Sequence, residues 1–221
     1  MKQSIYGGTY HFAVSQLERV GLEYTLTVGW EVSDFEKEIK SNTKVLYLET
    51  PSNPLLTITD IKGVADLAKK KGILSMIDNT FASPINQTPV DFGIDVVVHS
   101  ATKYMGGHSD ITAGVVAASK EHIHMVWQTG ICFGGSLSEY TVWLLERSLK
   151  TMAIRVKAQN ENAMKMATYL SENKDVDNVY YPGLKTHPGH EVAKSQMTGF
   201  GGMLSFELNP EIDASLFFKA L

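Results

Sequence analysis

Apolar and polar positions along this chain switch between a period near two and a period near three and a half, and each switch predicts an element. Strand-like runs fall at residues 23–28, 44–49, 73–77, 95–100, 114–118, 176–181 and 203–208. Those around Val96-Val97-Val98 and Lys44-Val45-Leu46-Tyr47-Leu48-Glu49 carry the side chains that suit a pleated, buried surface. Helical spacing of Ile61, Val64, Leu67 and Ala68 predicts a helix over 61–71, opened by Thr59 or Asp60 and stopped by Gly72. Ser33 predicts a cap for a helix over 34–40, with Glu36 completing a capping box. Further helices are expected over 121–128, 138–149 and 152–170, with a glycine-rich loop at 130–135 between the first two. His187-Pro188-Gly189-His190 opens a short helix, and the chain stops within a helical pattern at Leu221.

Strands and helices in this order, with short connections, predict an α/β fold: a mostly parallel sheet flanked by helices. The boundary is expected near Lys150. It divides residues 1–149, a large sheet-bearing unit, from residues 150–221, a linking helix and the start of a smaller α+β unit. With 221 residues, 43% of them hydrophobic and 20% charged, the chain can bury a sizeable core. Its formal net charge is −4 and its longest basic run is Lys69-Lys70-Lys71, at a helix end where cations suit the dipole. Nucleic acid and membrane surfaces are therefore not expected partners. A single cysteine, Cys132, excludes an internal disulfide and suits a reducing, cytoplasmic compartment. No signal peptide or membrane-spanning run is expected.

Candidate chemistry gathers where predicted strands end, since ligands of open α/β sheets sit at the carboxyl ends of strands. The strand at 95–100 runs into Ser100-Ala101-Thr102-Lys103-Tyr104-Met105-Gly106-Gly107-His108. Ser100 and Thr102 can donate to a phosphate, and a desolvated Lys103 can attack a carbonyl. The same residues also suit an ordinary turn with a solvated lysine. Asp78 follows an apolar strand, where a carboxylate costs free energy unless it has a partner. Asn53 is held between Pro51 and Pro54, in a stiff polar loop that equally suits a plain Asn-Pro turn. Tyr6, ahead of Gly7 and Gly8, can lie against a planar ligand or serve as a core or turn tyrosine. A carboxylate, an amine, a Ser/Thr pair and a stacking ring together describe a pyridoxal phosphate pocket.

The sequence resembles the Cys/Met-metabolism pyridoxal-phosphate enzymes, which include cystathionine γ-synthase, the cystathionine lyases and methionine γ-lyase. The resemblance rests on Tyr6-Gly7-Gly8-Thr9-Tyr10, Glu49-Thr50-Pro51-Ser52-Asn53-Pro54, Asp78-Asn79-Thr80-Phe81-Ala82-Ser83-Pro84, the Ser100–Asp110 stretch and Tyr181-Pro182-Gly183-Leu184, in that order over nearly the whole chain. It implies a large domain like that of type I pyridoxal-phosphate transferases, a sulfur amino acid as substrate, and a homotetramer. By the same resemblance, Lys103 binds the cofactor covalently and then moves protons on the substrate. Asp78 pairs with the ring nitrogen. Tyr6 stacks on the ring and assists proton transfer, Asn53 contacts the ring's phenolic oxygen, and Ser100 and Thr102 hold the phosphate. Methionine γ-lyases typically carry a cysteine where this chain has Gly8, which favours cystathionine γ-synthase or a cystathionine lyase; of these the γ-synthase/γ-lyase branch is expected.

Family members are longer at both ends, so the chain is expected to be an internal fragment, inactive or nearly so alone. The resemblance places a phosphate-binding glycine loop upstream and a substrate-carboxylate arginine downstream. A non-catalytic remnant that only binds partner subunits is the rival reading. A nucleotide-binding domain lacks its Gly-x-Gly-x-x-Gly or Walker lysine signature here. No metal site is expected: His99 and His108 have no carboxylate at zinc spacing, and His187 and His190 read as structural. Cys132 has no basic neighbour and reads as inert.

Overall fold

The structure, a computed structural model, describes residues 1–220. After the short helix α1 (Gly7–Phe12), a wider π-helical run over Ala13–Leu17 and a 3₁₀ turn at Glu18–Val20, the chain forms α2 (Val32–Lys37), β1 (Val45–Glu49), α3 (Ile61–Lys71), β2 (Leu74–Asp78), α4 (Ser83–Asn86), β3 (Val96–Ser100) and β4 (Gly114–Ala118). These strands make one sheet in the order β1-β2-β3-β4. The first three are parallel and β4 runs antiparallel to β3, in accord with the mostly parallel sheet expected. The two large helices α5 (Lys120–Phe133) and α6 (Glu139–Leu149) follow, then α7 (Met152–Ser171), β5 (Val176–Tyr180), α8 (His190–Gln196), β6 (Ser205–Leu208) and α9 (Ala214–Ala220). β5 and β6 form a separate antiparallel pair. Leu221 lies outside the described residues.

The α3 crossover follows directly from its sequence. Asp60 Oδ1 accepts the Gly63 N–H at 3.0 Å, satisfying an otherwise orphaned donor of the first turn. Gly72 ends the helix at φ 66°, a conformation that favours glycine. Between the two caps, Ile61, Val64, Ala65, Leu67 and Ala68 face the sheet. They pack with Leu46 and Leu48 of β1, Ile77 of β2, Val97 of β3, and Phe35, Ile73 and Ile94. α7 spans two other cores. Its first turns bury Met152 and Val156 against Ala101, Met105, Ile111 and Ala113. Its later turns bury Ala163 and Ala167 against Tyr181, whose hydroxyl donates to the Gly201 carbonyl at 3.0 Å.

Three expectations need correction. Residues 23–28 are extended but form no strand; Thr27 alone makes a bridge, to Lys2. Alternation records which side chains face inward, but a strand also needs a continuous partner, and Lys2 supplies one residue. The helix predicted over 34–40 starts two residues earlier and stops at Lys37. Asp34, not Glu36, reaches back, accepting the Glu31 N–H at 3.2 Å, while Glu36 turns outward to Lys71 at 3.4 Å. Residues 130–133 are the last turn of α5 rather than a loop, and exposed Cys132 sits in that turn. Gly130 is tolerated inside the helix; the stop is Gly134, at φ 77°.

Because Leu48 is fully buried between sheet and α3, Leu48→Ala is expected to lower unfolding free energy by about 2–5 kcal/mol. Urea denaturation of the variant checks this; a loss below about 1 kcal/mol would contradict the assigned core.

Candidate functional site

The parallel register brings three strand ends level. Glu49, the last residue of β1, lies opposite Asp78, the last of β2, and Asp78 lies opposite Val98, two residues before the end of β3 at Ser100. Their loops are then held by side chains that serve the backbone. Asp78 Oδ1 accepts the Thr80 N–H at 2.9 Å, and Thr80 Oγ1 accepts the Ser100 N–H at 2.8 Å. The acid is thereby tied to the first residue of the lysine turn. Buried Gln87 donates both to the Thr50 carbonyl at 2.9 Å and to Asn79 Oδ1 at 2.7 Å, joining the β1 and β2 tips.

Lys103 sits in a tight turn after β3. Its N–H donates to the Ser100 carbonyl at 3.1 Å, and its own carbonyl accepts from Gly107 at 2.7 Å. Gly107 adopts φ 74°, and a Cβ there would collide with the Arg155 guanidinium. Arg155, from α7, donates to the Tyr104 carbonyl at 2.8 Å and to the Ser148 carbonyl at 2.9 Å. The lysine turn is thus clamped to the start of α7. Gly8 is crowded in a similar way: a Cβ there would lie 2.6 Å from Tyr6 Cε1, so glycine leaves the Tyr6 ring its room.

One cavity of about 750 Å³ opens between these elements. Tyr6, Asn53, Asp78, Ser100, Thr102 and Lys103 all line it, so every residue singled out from the sequence reaches one space. The Tyr6 side chain is largely free, with the residue 55% exposed. Ser100 and Thr102 differ in readiness for a ligand. The Thr102 hydroxyl accepts the Ala113 N–H at 3.0 Å and donates to the Ala113 carbonyl at 3.3 Å, whereas the Ser100 hydroxyl has no protein partner among the described residues. In the histidine pair, His187 Nδ1 accepts the Gly189 N–H at 3.1 Å, and His190 Nδ1 lies 2.9 Å from the Pro182 carbonyl.

Sequence reading missed other wall residues: Glu49, Thr80 and, from α7 and the stretch before β6, Gln159, Gly202 and Met203. The signal for Glu49 was present, since it too is an acid closing an apolar strand, as Asp78 is. Its Oε2 accepts the Tyr6 N–H at 2.7 Å and its Oε1 the Asn53 N–H at 2.9 Å. Burial pushes the Glu49 carboxyl up to about 7 against the pull of those two N–H groups, and the Asp78 charge pushes the same way. Buried Lys2, whose ammonium donates to Ser52 Oγ at 3.1 Å, is brought down to about 8 by burial, opposed by the Glu49 charge. Burial also lowers His99, with Asp78 opposing. Gln159 Oε1 is buried without a hydrogen-bond partner among the described residues.

The residues present fit a pyridoxal phosphate: an amine and a carboxylate lining one cavity, a flat exposed ring, and an uncommitted hydroxyl at a strand end. Comparison with known proteins points the same way. The sequence matches the profile of Cys/Met metabolism PLP-dependent enzymes over residues 1–221. It is 47% identical to the cystathionine γ-lyase of Bacillus subtilis, over 98% of this chain and 58% of that protein. It is 45% identical to a cystathionine β-lyase of Lactococcus lactis, over 96% of this chain and 56% of that one. A crystal structure of cystathionine γ-lyase from Lactobacillus plantarum complexed with L-serine superposes with a TM-score of 0.95 at 42% identity, covering 99% of this chain and 57% of that one. The chain therefore spans a little over half the length of these relatives.

The Lys2 shift sets a stability slope with a definite sign. Between about pH 8 and its ordinary value of 10.5, the unfolded chain holds the Lys2 proton more tightly than the folded one. Stability contributed by this group therefore rises with pH across that window, by a few kcal/mol in all. Urea unfolding of wild type and Lys2→Met across the window is expected to show this rise in the wild type only. Parallel curves would contradict it.

Proposed function

Because the chain belongs to the Cys/Met metabolism PLP-dependent enzymes, we propose that it forms the cofactor-holding core of an enzyme that makes or breaks a C–S bond of a sulfur amino acid. The reading is of the cystathionine γ-synthase or γ-lyase type. The observation that carries it is the convergence of Lys103 and Asp78 on one cavity with Tyr6. When bound, the cofactor supplies an electron-withdrawing ring that stabilises negative charge at the amino acid's α-carbon. Lys103 Nζ would hold the cofactor, and its free amine would take the proton from the α-carbon and return it to the substrate chain. The Asp78 carboxylate would keep the ring nitrogen protonated. Tyr6 would stack on the ring, and its hydroxyl would assist proton transfer to the departing group. The Asn53 amide would bind the phenolic oxygen. Ser100, with an uncommitted hydroxyl, and Thr102 would hold the phosphate.

Cystathionine β-lyase and methionine γ-lyase chemistry are the nearest alternatives. Glycine at position 8, where methionine γ-lyases typically carry a cysteine, supports a cystathionine enzyme over methionine γ-lyase. Residues 1–149 are the cofactor-binding unit in this reading and residues 150–221 the start of a smaller one. The protein is proposed to work as a homotetramer. Exposed Trp127, Phe133, Tyr140 and Trp143 on α5 and α6 offer apolar surface for contacts between subunits. Its single cysteine suits a cytoplasmic location, and no helix among the described residues is long and apolar enough to cross a membrane.

The test adds pyridoxal phosphate to the purified protein, reduces with borohydride and maps the modified peptide. The label is expected on Lys103, and Lys103→Ala is expected to lose it. Asp78→Asn is expected to keep the label while catalysis by the whole enzyme falls about a hundredfold or more. Label spread over surface lysines and unchanged in Lys103→Ala would overturn the reading.

A further inference from the structure

Tyr6 reaches the cavity from a segment with little local stiffness, and Asn53 from a loop set between Pro51 and Pro54. Tyr6 precedes two glycines and opens a six-residue helix without any side-chain cap of its own. A Cβ at Gly7 would meet nothing within 4 Å, so that neighbour gives no steric support. Asn53 stands in a loop 47 residues further along. One side chain touches the backbone of both. Glu49, 5% exposed, accepts the Tyr6 N–H with one carboxylate oxygen and the Asn53 N–H with the other, at 2.7 and 2.9 Å. These lengths belong to charge-assisted hydrogen bonds, which are about twice as strong as neutral ones. The strand that carries Glu49 is the edge neighbour of the one that carries Asp78, and the two carboxylates end in register. Glu49 is therefore anchored to the same frame as the acid, while it holds the backbone of both segments.

We propose that Glu49 is a positioning residue: its carboxylate fixes the backbone of Tyr6 relative to that of Asn53, and so sets the spacing between the ring that covers the cofactor and the amide that binds its phenolic oxygen. The proposal rests on the cofactor reading given above. Glu49 touches neither substrate nor cofactor in this role; it acts through the two residues whose N–H groups it holds. A residue that merely filled space would give no reason for both oxygens to be spent on backbone donors of these two positions.

The test compares wild type with Glu49→Gln, which keeps shape and volume but faces one of the two N–H groups with a donor. Amide hydrogen exchange is followed in segments 4–12 and 50–56, with α3 as reference, and pyridoxal phosphate affinity is titrated by absorbance. At least one of the Tyr6 and Asn53 amides is expected to exchange about tenfold faster or more, with α3 unchanged, and the cofactor Kd to rise about tenfold. Unchanged exchange overturns the proposal, and so does faster exchange with unchanged Kd. If α3 also loses protection, wild type decides. The Tyr6 and Asn53 amide proton shifts are expected to move together as pH falls and Glu49 gains its proton, with Lys2, Tyr47 and Asp78 the other ionisable groups facing it. Shifts that move apart, or not at all, overturn it. Borohydride labelling of Lys103 in wild type separates the two ideas: no label sinks the cofactor reading, whereas label with an unaltered Kd in the variant sinks only the positioning role.

Discussion

Everything at this site depends on the pairing register of three parallel strands. Glu49 opposite Asp78 and Asp78 opposite Val98 place the strand ends side by side. A slip of one residue would turn every inward side chain to the other face. The buried set of Leu46, Leu48, Ile77 and Val97 against α3 makes such a slip costly. The hydrophobic core thus does more than stabilise the unit: it decides where a carboxylate and an amine from distant parts of the chain come to rest.

Register alone aligns backbones, and the loops beyond the strands still need fixing. Here polar side chains do that work, chiefly by bonding backbone groups. Thr80 joins the acid's loop to Ser100. Gln87 joins Thr50 to Asn79. Glu49 joins Tyr6 to Asn53. Arg155 joins the lysine turn to the end of α6. Each of these bonds satisfies a group that would otherwise be orphaned near the core. Arg155 also makes α7 part of the site's frame, and Gln159 of α7 and Gly202 ahead of β6 reach the cavity wall.

Features written in local sequence were legible. α3 could be read from its Asp60 cap, its apolar spacing and Gly72, because each acts within one turn. Asp78 could be read because a charged group closing an apolar strand needs a reason to be there, and Lys103 because it follows such a strand within a Ser/Thr- and glycine-bearing turn. What depended on a distant partner was not legible. Residues 23–28 carry strand alternation, yet find only Lys2 beside them. The α2 start was decided by Asp34 reaching Glu31, a choice between two acidic candidates that propensity does not rank. Gly130 looked like a stop, but only Gly134 takes the left-handed conformation. Glu49 met the same criterion as Asp78, and its role became visible only when Tyr6, 43 residues away, was seen to donate to it.

The family and the geometry meet in one physical claim: an acid at the β2 tip and an amine after β3 face opposite ends of a single flat heterocycle. The most direct measurement is the ¹⁵N chemical shift of the ring nitrogen in ¹⁵N-labelled pyridoxal phosphate bound to the protein, compared with the Asp78→Asn variant. The account predicts a protonated ring nitrogen in the wild type and an unprotonated one in the variant. An unprotonated nitrogen in the wild type, or the same shift in both proteins, would contradict it.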